Sequence, residues 1–171
     1  WEWVFILQKH VNHMGYAVYK QLSNKYFDAL VKRIRAKYKS YLITTKETFP
    51  TLIQAKQNNQ LTLNGFVFDQ SPKLDRAVHW QYFMGVKVPV HVGAEILAKR
   101  LEMATLFLKV KKIKRGYYEA TIMDIIKDSK NMEDFKITDA YLKHVEEEIL
   151  EAPEFYLWTH KRWKHANNAP Y

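Results

Sequence analysis

The chain has 171 residues, a length that suits one domain and leaves little room for two. Hydrophobic residues make up 47% of it and aromatic residues 15%, which argues against an intrinsically disordered protein. Because it contains no cysteine, it has neither a disulfide framework nor a cysteine-ligated zinc site. With 27 Lys and Arg against 18 Asp and Glu, its net charge is +9, which favours anionic partners such as nucleic acid, anionic lipid or an acidic protein.

The first part of the chain alternates between helical and strand-like hydrophobic periods. The predicted elements are helices over residues 3–11, 25–39 and 49–57, and strands over residues 15–19, 41–45 and 61–68, the last of them buried. The helix over residues 25–39 combines apolar residues at helical spacing with a basic outer face; the apolar residues are Phe27, Leu30, Val31 and Ile34. No apolar run reaches the ~18 residues that a membrane-spanning helix needs.

The second part begins with a polar loop over residues 69–76 and continues with two predicted hairpins and two predicted helices. The hairpins pair residues 78–83 with 86–90 around Met84-Gly85, and 105–114 with 117–126 around Arg115-Gly116. The helices cover residues 93–101 and 137–150, with Thr138 as the expected N-cap of the second. We therefore expect a single α/β domain over residues 1–171, with a mixed central sheet flanked by helices.

The loop Asp69-Gln70-Ser71-Pro72 follows the most apolar predicted strand. Ligands of open α/β sheets gather at the carboxyl ends of strands, where a carboxylate can accept hydrogen bonds from a hydroxyl group or pair with a cation. Asp69 is therefore a candidate functional residue. The alternative is that the segment is only a turn, since Asp, Ser and Pro all favour turns.

The segment Trp158-Thr159-His160-Lys161-Arg162-Trp163-Lys164 interleaves aromatic rings with cations. One hypothesis is that the cations meet phosphates at a membrane or on an acceptor; the other is that the segment packs its Trp rings on the core and leaves a solvated basic face. The lysine-rich hairpin around Lys109 and Lys111 is interpreted as a solvated edge strand. The seven His residues show no metal-ligand spacing, and we expect no metal and no cofactor.

Several blocks resemble the bacterial lipid A biosynthesis acyltransferases. Trp1-Glu2-Trp3 is similar to the end of the family motif His-x-x-x-x-Glu, and Ala152-Pro153-Glu154 through Lys164 resembles its C-terminal signature. The remaining blocks follow in chain order: Val18-Tyr19-Lys20 with Asn24, Asp28 and Arg35; Phe68-Asp69-Gln70-Ser71; and Val88-Pro89-Val90 into Gly93-Ala94. The resemblance covers essentially the whole chain.

The resemblance implies an enzyme that moves an acyl chain from acyl carrier protein to a hydroxyl group of a lipid A precursor. It also implies a fold like that of the glycerolipid acyltransferases and a location at the cytoplasmic face of the inner membrane. The implied partners are acyl carrier protein, the lipid A precursor and the inner-membrane surface, and not nucleic acid.

The resemblance also implies residue roles. The motif His acts as general base on the acceptor hydroxyl group, and Glu2 orients its imidazole. Arg35 and Asp69 complete the expected catalytic set, Arg35 by stabilising the thioester oxyanion or holding a lipid phosphate. Lys20, Asn24, Arg162 and Lys164 are the expected substrate-binding residues. The motif His and the family's N-terminal membrane helix fall before Trp1, so we expect the 171 residues to be inactive by themselves.

Two alternatives remain open. The first alternative to the enzyme is a non-catalytic relative that only binds anionic lipid. The second, which has less support, is a nucleic-acid-binding module, although the chain shows no RNP, KH or zinc pattern. A His five positions before Glu2 favours the enzyme over the non-catalytic relative. For the enzyme we predict that Glu2, Arg35 and Asp69 converge on one cleft, with Asp69 at the end of a sheet strand.

Overall fold

The computed structural model describes residues 6–170, apart from the side chains of Asp124 and Ile125. The chain divides into two compact units, the first ending at Val67 and the second beginning at Phe68. The α/β class predicted from the sequence is confirmed, since the described part holds helices and strands of both pairing types. The predicted single domain over residues 1–171 and the likeness to glycerolipid acyltransferases stay predictions.

The first unit contains a three-stranded parallel sheet in the order β2-β1-β3. Its elements are β1 (Met14–Tyr19), α1 (Lys25–Arg35), β2 (Tyr41–Thr44), α2 (Thr48–Gln57) and β3 (Thr62–Gly65). Ala17 of the central strand lies opposite Leu42 and Gly65 in the two flanking strands. Parallel neighbours need crossover connections, which α1 and α2 supply. Leu52 and Ala55 of α2 are buried, as are Ala17, Tyr19 and Ile43 of the sheet.

Helix α1 has the opposite orientation to the one that its sequence pattern predicts. Asp28 is its buried residue, whereas Phe27, Leu30 and Ile34 are 55%, 41% and 59% exposed. The apolar residues at helical spacing therefore face outward, and the expected basic outer face with an apolar inner face is wrong. The cause is local hydrogen bonding, because Asp28 accepts from the backbone N–H of Leu22 and pairs with Lys32, which fixes the acidic side inward.

The second unit is built from two antiparallel hairpins and two helices. These are β4 (His79–Phe83) with β5 (Val86–Val90), α3 (Gly93–Leu101), β6 (Thr105–Lys114) with β7 (Tyr117–Ile126), and α4 (Lys136–Glu151). Met84 and Gly85 have φ values of 51° and 77°, which identify the tight two-residue hairpin turn that the sequence predicts at this position. The core of the unit joins β5 to α4; its buried members are Phe83, Val88, Val90, Val92, Leu142 and Ile149.

The predicted mixed central sheet is not found among residues 6–170. Parallel and antiparallel pairs occur in separate sheets, because each hairpin closes on itself through its short turn and neither adds a strand to the parallel sheet. The strand predicted over residues 61–68 is also shorter, since β3 ends at Gly65. Phe68 stacks on Tyr141 with ring centroids 4.1 Å apart instead of pairing with a strand. Asp69 therefore lies four residues beyond its strand, not at its end.

The N-terminus of α4 is capped by a residue of another helix. The helix begins at Lys136, so Thr138 lies inside its first turn, and the predicted N-cap role of Thr138 is wrong. The buried carboxylate of Glu95 in α3 accepts from the backbone N–H of Phe135 at 2.6 Å and from that of Thr138 at 2.9 Å. It also accepts from the Thr138 hydroxyl at 2.7 Å, so one carboxylate serves the unpaired N–H groups with which every helix starts.

None of the helices described within residues 6–170 is both long and apolar enough to cross a lipid bilayer.

Candidate functional site

The predicted site residues are distributed over both units. Glu2 lies outside the residues that the structure describes. Lys20, Asn24 and Arg35 belong to the first unit, whereas Asp69, Arg162 and Lys164 belong to the second. The convergence of Glu2, Arg35 and Asp69 on one cleft therefore stays a prediction.

Asn24 is the N-cap of α1. Its side-chain oxygen accepts from the backbone N–H groups of Tyr26 and Phe27, each at 3.0 Å. Asn is among the residues preferred at this position, since such an oxygen replaces a missing helical acceptor. The residue expected to bind substrate is thus engaged in starting the helix, while Lys20, just after β1, is exposed.

Asp28 connects the loop before α1 to the helix. It accepts from Leu22 N–H at 3.0 Å and lies 2.9 Å from Lys32 Nζ. The hydrogen bond from Leu22, followed by that from Lys32, holds the pKa of the Asp28 carboxyl below its usual range. The Lys32 ammonium lies 5.4 Å from the Tyr19 ring centroid, and interaction with Tyr19 and then with Asp28 raises the pKa of Lys32.

Arg35 is the last residue of α1, and its side chain is half-buried. A short 3₁₀ turn, Ala36–Tyr38, follows it directly. The basic residues Lys32, Arg33 and Arg35 all fall in the last turn of α1, where the helix dipole favours positive charge. Arg35 thus lies at the end of α1, and the charge-stabilising role expected for it stays a prediction.

Arg162 is fully buried in the second unit, with a relative exposure of 0%. Its Nη1 donates to the Pro89 carbonyl at 3.0 Å and to the Ser71 hydroxyl at 3.3 Å. The Ser71 hydroxyl in turn donates to the Arg162 carbonyl at 2.5 Å, and the guanidinium carbon lies 5.0 Å from the Phe83 ring centroid. Nε and Nη2 have no hydrogen-bond partner within the described residues. Arg162 thus ties the C-terminal segment to the loop around Ser71 and to β5.

Asp69 is half-buried beside the cation of Arg162 and two tyrosines. Burial lowers the pKa of the Arg162 guanidinium, and the neighbouring Tyr156 and Asp69 partly restore it. Burial, followed by the negative charge of Asp69, raises the pKa of Tyr141. Asp69 thus acts on Arg162 and on the two tyrosines through its charge, and both roles that the sequence leaves open for this carboxylate stay predictions.

The Trp rings and the cations of the C-terminal segment are arranged differently from the expected inward rings and outward charges. Trp163 is half-buried and donates from Nε1 to the Phe83 carbonyl at 3.2 Å, whereas Trp158 is 50% exposed and stacks on it. Arg162 points inward, and Lys161 and Lys164 are exposed. The structure favours the hypothesis that Arg162 braces the fold, and it leaves Lys164 accessible.

Several side-chain contacts of the second unit are not predicted by the sequence pattern. His79 Nε2 lies 2.8 Å from Asp139 Oδ1, and the His79 ring stacks on Phe135 at 4.3 Å. The Lys109 ammonium pairs with Glu148 and Glu151 of α4 at 2.7 Å and 2.6 Å, so this lysine is not a solvated edge charge. No group of three or more His, Asp or Glu residues within the described part is arranged to hold a metal ion.

A search of curated proteins finds no match to this chain. The model of the family described as bacterial lipid A biosynthesis acyltransferase matches residues 1–165. The match takes in every block on which the sequence resemblance depends, from Glu2 to Lys164, and covers nearly all of both structural units. The chain therefore belongs to the bacterial lipid A biosynthesis acyltransferase family.

Proposed function

We propose that this protein transfers an acyl chain from the thioester of acyl carrier protein to a hydroxyl group of a lipid A precursor, at the cytoplasmic face of the inner membrane. The observation that carries the proposal is the family match over residues 1–165, which indicates an acyltransferase of lipid A biosynthesis. The donor, the acceptor group and the location follow from the resemblance of the individual blocks.

The chemistry assigns Glu2 a positioning role. The acceptor hydroxyl oxygen attacks the thioester carbonyl carbon while the motif His takes up the hydroxyl proton. The C–S bond then breaks, the carrier leaves as a thiol with that proton, and an ester remains on the acceptor. The Glu2 carboxylate orients the imidazole and stabilises its charged form.

The contacts within each unit divide the remaining candidates into two groups. Arg35 and the exposed Lys20 and Lys164 are suited to an oxyanion or to lipid phosphates, because each carries a cation. Asn24 and Arg162 are engaged in capping α1 and in bracing the loop around Ser71. We assign Asp69 a positioning role through its charge beside Arg162, and its direct participation in catalysis stays a prediction.

The proposal is tested by mass spectrometry of lipid A from source cells in which the gene is disrupted. We expect lipid A that lacks one acyl chain, with the wild-type mass restored by the intact gene and by a matched control variant, Glu119→Gln. This control changes an exposed carboxylate of β7. Glu2→Gln should restore little or none of the missing chain. Unchanged lipid A in the disrupted strain contradicts the proposal and favours the non-catalytic, lipid-binding relative, whereas full restoration by Glu2→Gln shows that the transfer does not need the Glu2 carboxylate.

A further inference from the structure

The outward face of α1 is an apolar surface on a helix whose charged side faces the fold. Tyr26 is 91% exposed, and Phe27, Leu30 and Ile34 are each more than 40% exposed. At 100° per residue these four side chains fall within about one third of the helix circumference. We call them the α1 apolar face. Its existence follows from Asp28, whose bonds to Leu22 and Lys32 fix the other side of the helix inward.

The charge of the first unit is almost entirely positive. Residues 1–67 contain ten Lys and Arg but only three acidic residues, Glu2, Asp28 and Glu47. The Asp28 side chain is engaged locally with Lys32, and that of Glu47 with the backbone N–H and hydroxyl of Thr44. The exposed cations Lys25, Arg33 and Lys37 lie on α1 or just beyond it, close to its apolar face.

We propose that the α1 apolar face and its flanking cations bind an anionic bilayer, with α1 lying in the plane of the interface. Apolar side chains with cations beside them match the acyl–headgroup boundary of such a bilayer. Bases can stack on the Tyr26 and Phe27 rings, but a nucleic acid offers no apolar surface that matches the aliphatic side chains of Leu30 and Ile34. A symmetric dimer through this face sets the same cations against each other, which is unfavourable. The inference deepens the proposed function, on which it rests in assuming that the acceptor is a membrane lipid.

The test is co-sedimentation of the 171-residue protein with phosphatidylglycerol vesicles and with phosphatidylcholine vesicles. We expect binding to phosphatidylglycerol that weakens with added salt, and little binding to phosphatidylcholine. Ile34→Glu should weaken the binding by roughly tenfold or more, because it places a carboxylate in the apolar face. The matched control is Ile96→Glu, which makes the same substitution at a 52% exposed side chain of α3 in the second unit. This variant should bind the vesicles as wild type does.

A second readout does not depend on a disruptive variant. The chain has no cysteine, so Tyr26→Cys and Ile96→Cys can each carry a single nitroxide label. On phosphatidylglycerol vesicles we expect the label at residue 26 to gain accessibility to oxygen and to lose accessibility to a water-soluble relaxant, whereas the label at residue 96 should keep the accessibilities that it has without vesicles.

Three results overturn the proposal: equal binding by wild type and Ile34→Glu, equal immersion of the two labels, or a dimer that Ile34→Glu dissociates without any effect on vesicle binding. Vesicle binding is measured without acyl transfer. Vesicle binding through α1 together with unchanged lipid A in the disrupted strain therefore refutes the proposed function alone, and loss of an acyl chain in that strain without vesicle binding through α1 refutes this inference alone.

Discussion

The two units differ in how they use charge. The second unit, residues 68–171, has 17 Lys and Arg against 15 acidic residues, whereas the first unit, residues 1–67, has ten against three. In the second unit the acidic residues complete the fold, as Glu95 caps α4 and Glu148 and Glu151 hold Lys109. In the first unit the buried Asp28 fixes the orientation of α1 with its apolar residues facing outward. The comparison indicates that the charges of the second unit largely compensate one another, whereas the surface of the first unit suits a partner that is both anionic and apolar.

The largest expected effect is that of Arg162→Met on the second unit. The substitution removes a buried charged donor from the Pro89 carbonyl and from the Ser71 hydroxyl, so the free energy of unfolding should fall by about 3 kcal/mol. Denaturant unfolding followed by Trp fluorescence measures it. Lys164→Met, at an exposed neighbour, should change stability by no more than ~0.5 kcal/mol. An Arg162 variant of wild-type stability whose acceptor affinity falls supports a phosphate contact in place of a brace.

Glu95→Gln tests whether the Glu95 carboxylate stabilises the second unit by capping α4. The amide cannot accept from Phe135 and Thr138 with both of its polar atoms, so a buried N–H group at the start of α4 loses its partner. We expect a loss of about 2 kcal/mol in unfolding free energy. Glu119→Gln is the control, since Glu119 is exposed on the β6–β7 hairpin. Equal stability of the two variants means that Glu95 is not a structural cap.

Asn24 provides a smaller test, in the first unit. Asn24→Ala should cost about 1 kcal/mol in unfolding free energy, and Asn24→Asp should restore it, because Asp caps helices as well as Asn does. Ser23→Ala, next to it in the exposed loop, should have little effect. If Asn24→Ala instead keeps wild-type stability and weakens acceptor binding, the substrate-binding role implied by the family resemblance replaces the capping role.

The smallest expected effect is a pH dependence from Asp28. Its pKa is lowered in the folded protein, first by the Leu22 N–H and then by Lys32, so its stabilising contribution is present above the unfolded pKa and is lost as pH falls through the folded pKa. The melting temperature of wild type should therefore fall at acidic pH, and that of Asp28→Asn should fall less. The effect is small because the Lys32 partner is 43% exposed and screened by solvent. If wild type and Asp28→Asn show the same dependence of melting temperature on pH, the Asp28 carboxylate does not stabilise the orientation of α1.

Local signals in the sequence were sufficient for much of the fold. The Met84-Gly85 and Arg115-Gly116 turns fix two hairpins, and α3 has the bounds that its hydrophobic period predicts. Contacts between distant residues were not accessible to this reasoning. Arg162 bonds to Pro89, 73 residues away, and Glu95 caps a helix 43 residues away.

The outward face of α1 shows a second limit of prediction from the sequence. Hydrophobic period locates an apolar face but does not say what covers it, and here Asp28 and its two bonds decide the orientation. For the candidate site, the family match confirms the family that the resemblance predicts, whereas the roles expected for individual residues stay predictions. The resemblance does not predict that Asn24 caps α1 or that Arg162 donates to the Pro89 carbonyl.

Hydrogen–deuterium exchange of the 171-residue protein, with and without phosphatidylglycerol vesicles, tests the contrast between the two units most directly. The account predicts added protection over α1 and the turn that follows it, residues 25–38, and unchanged exchange over α3, α4 and both hairpins of the second unit. Phosphatidylcholine vesicles should leave both units unchanged. Protection that appears in the second unit, or none at α1 while the protein is vesicle-bound, contradicts the assignment of the lipid surface to the first unit.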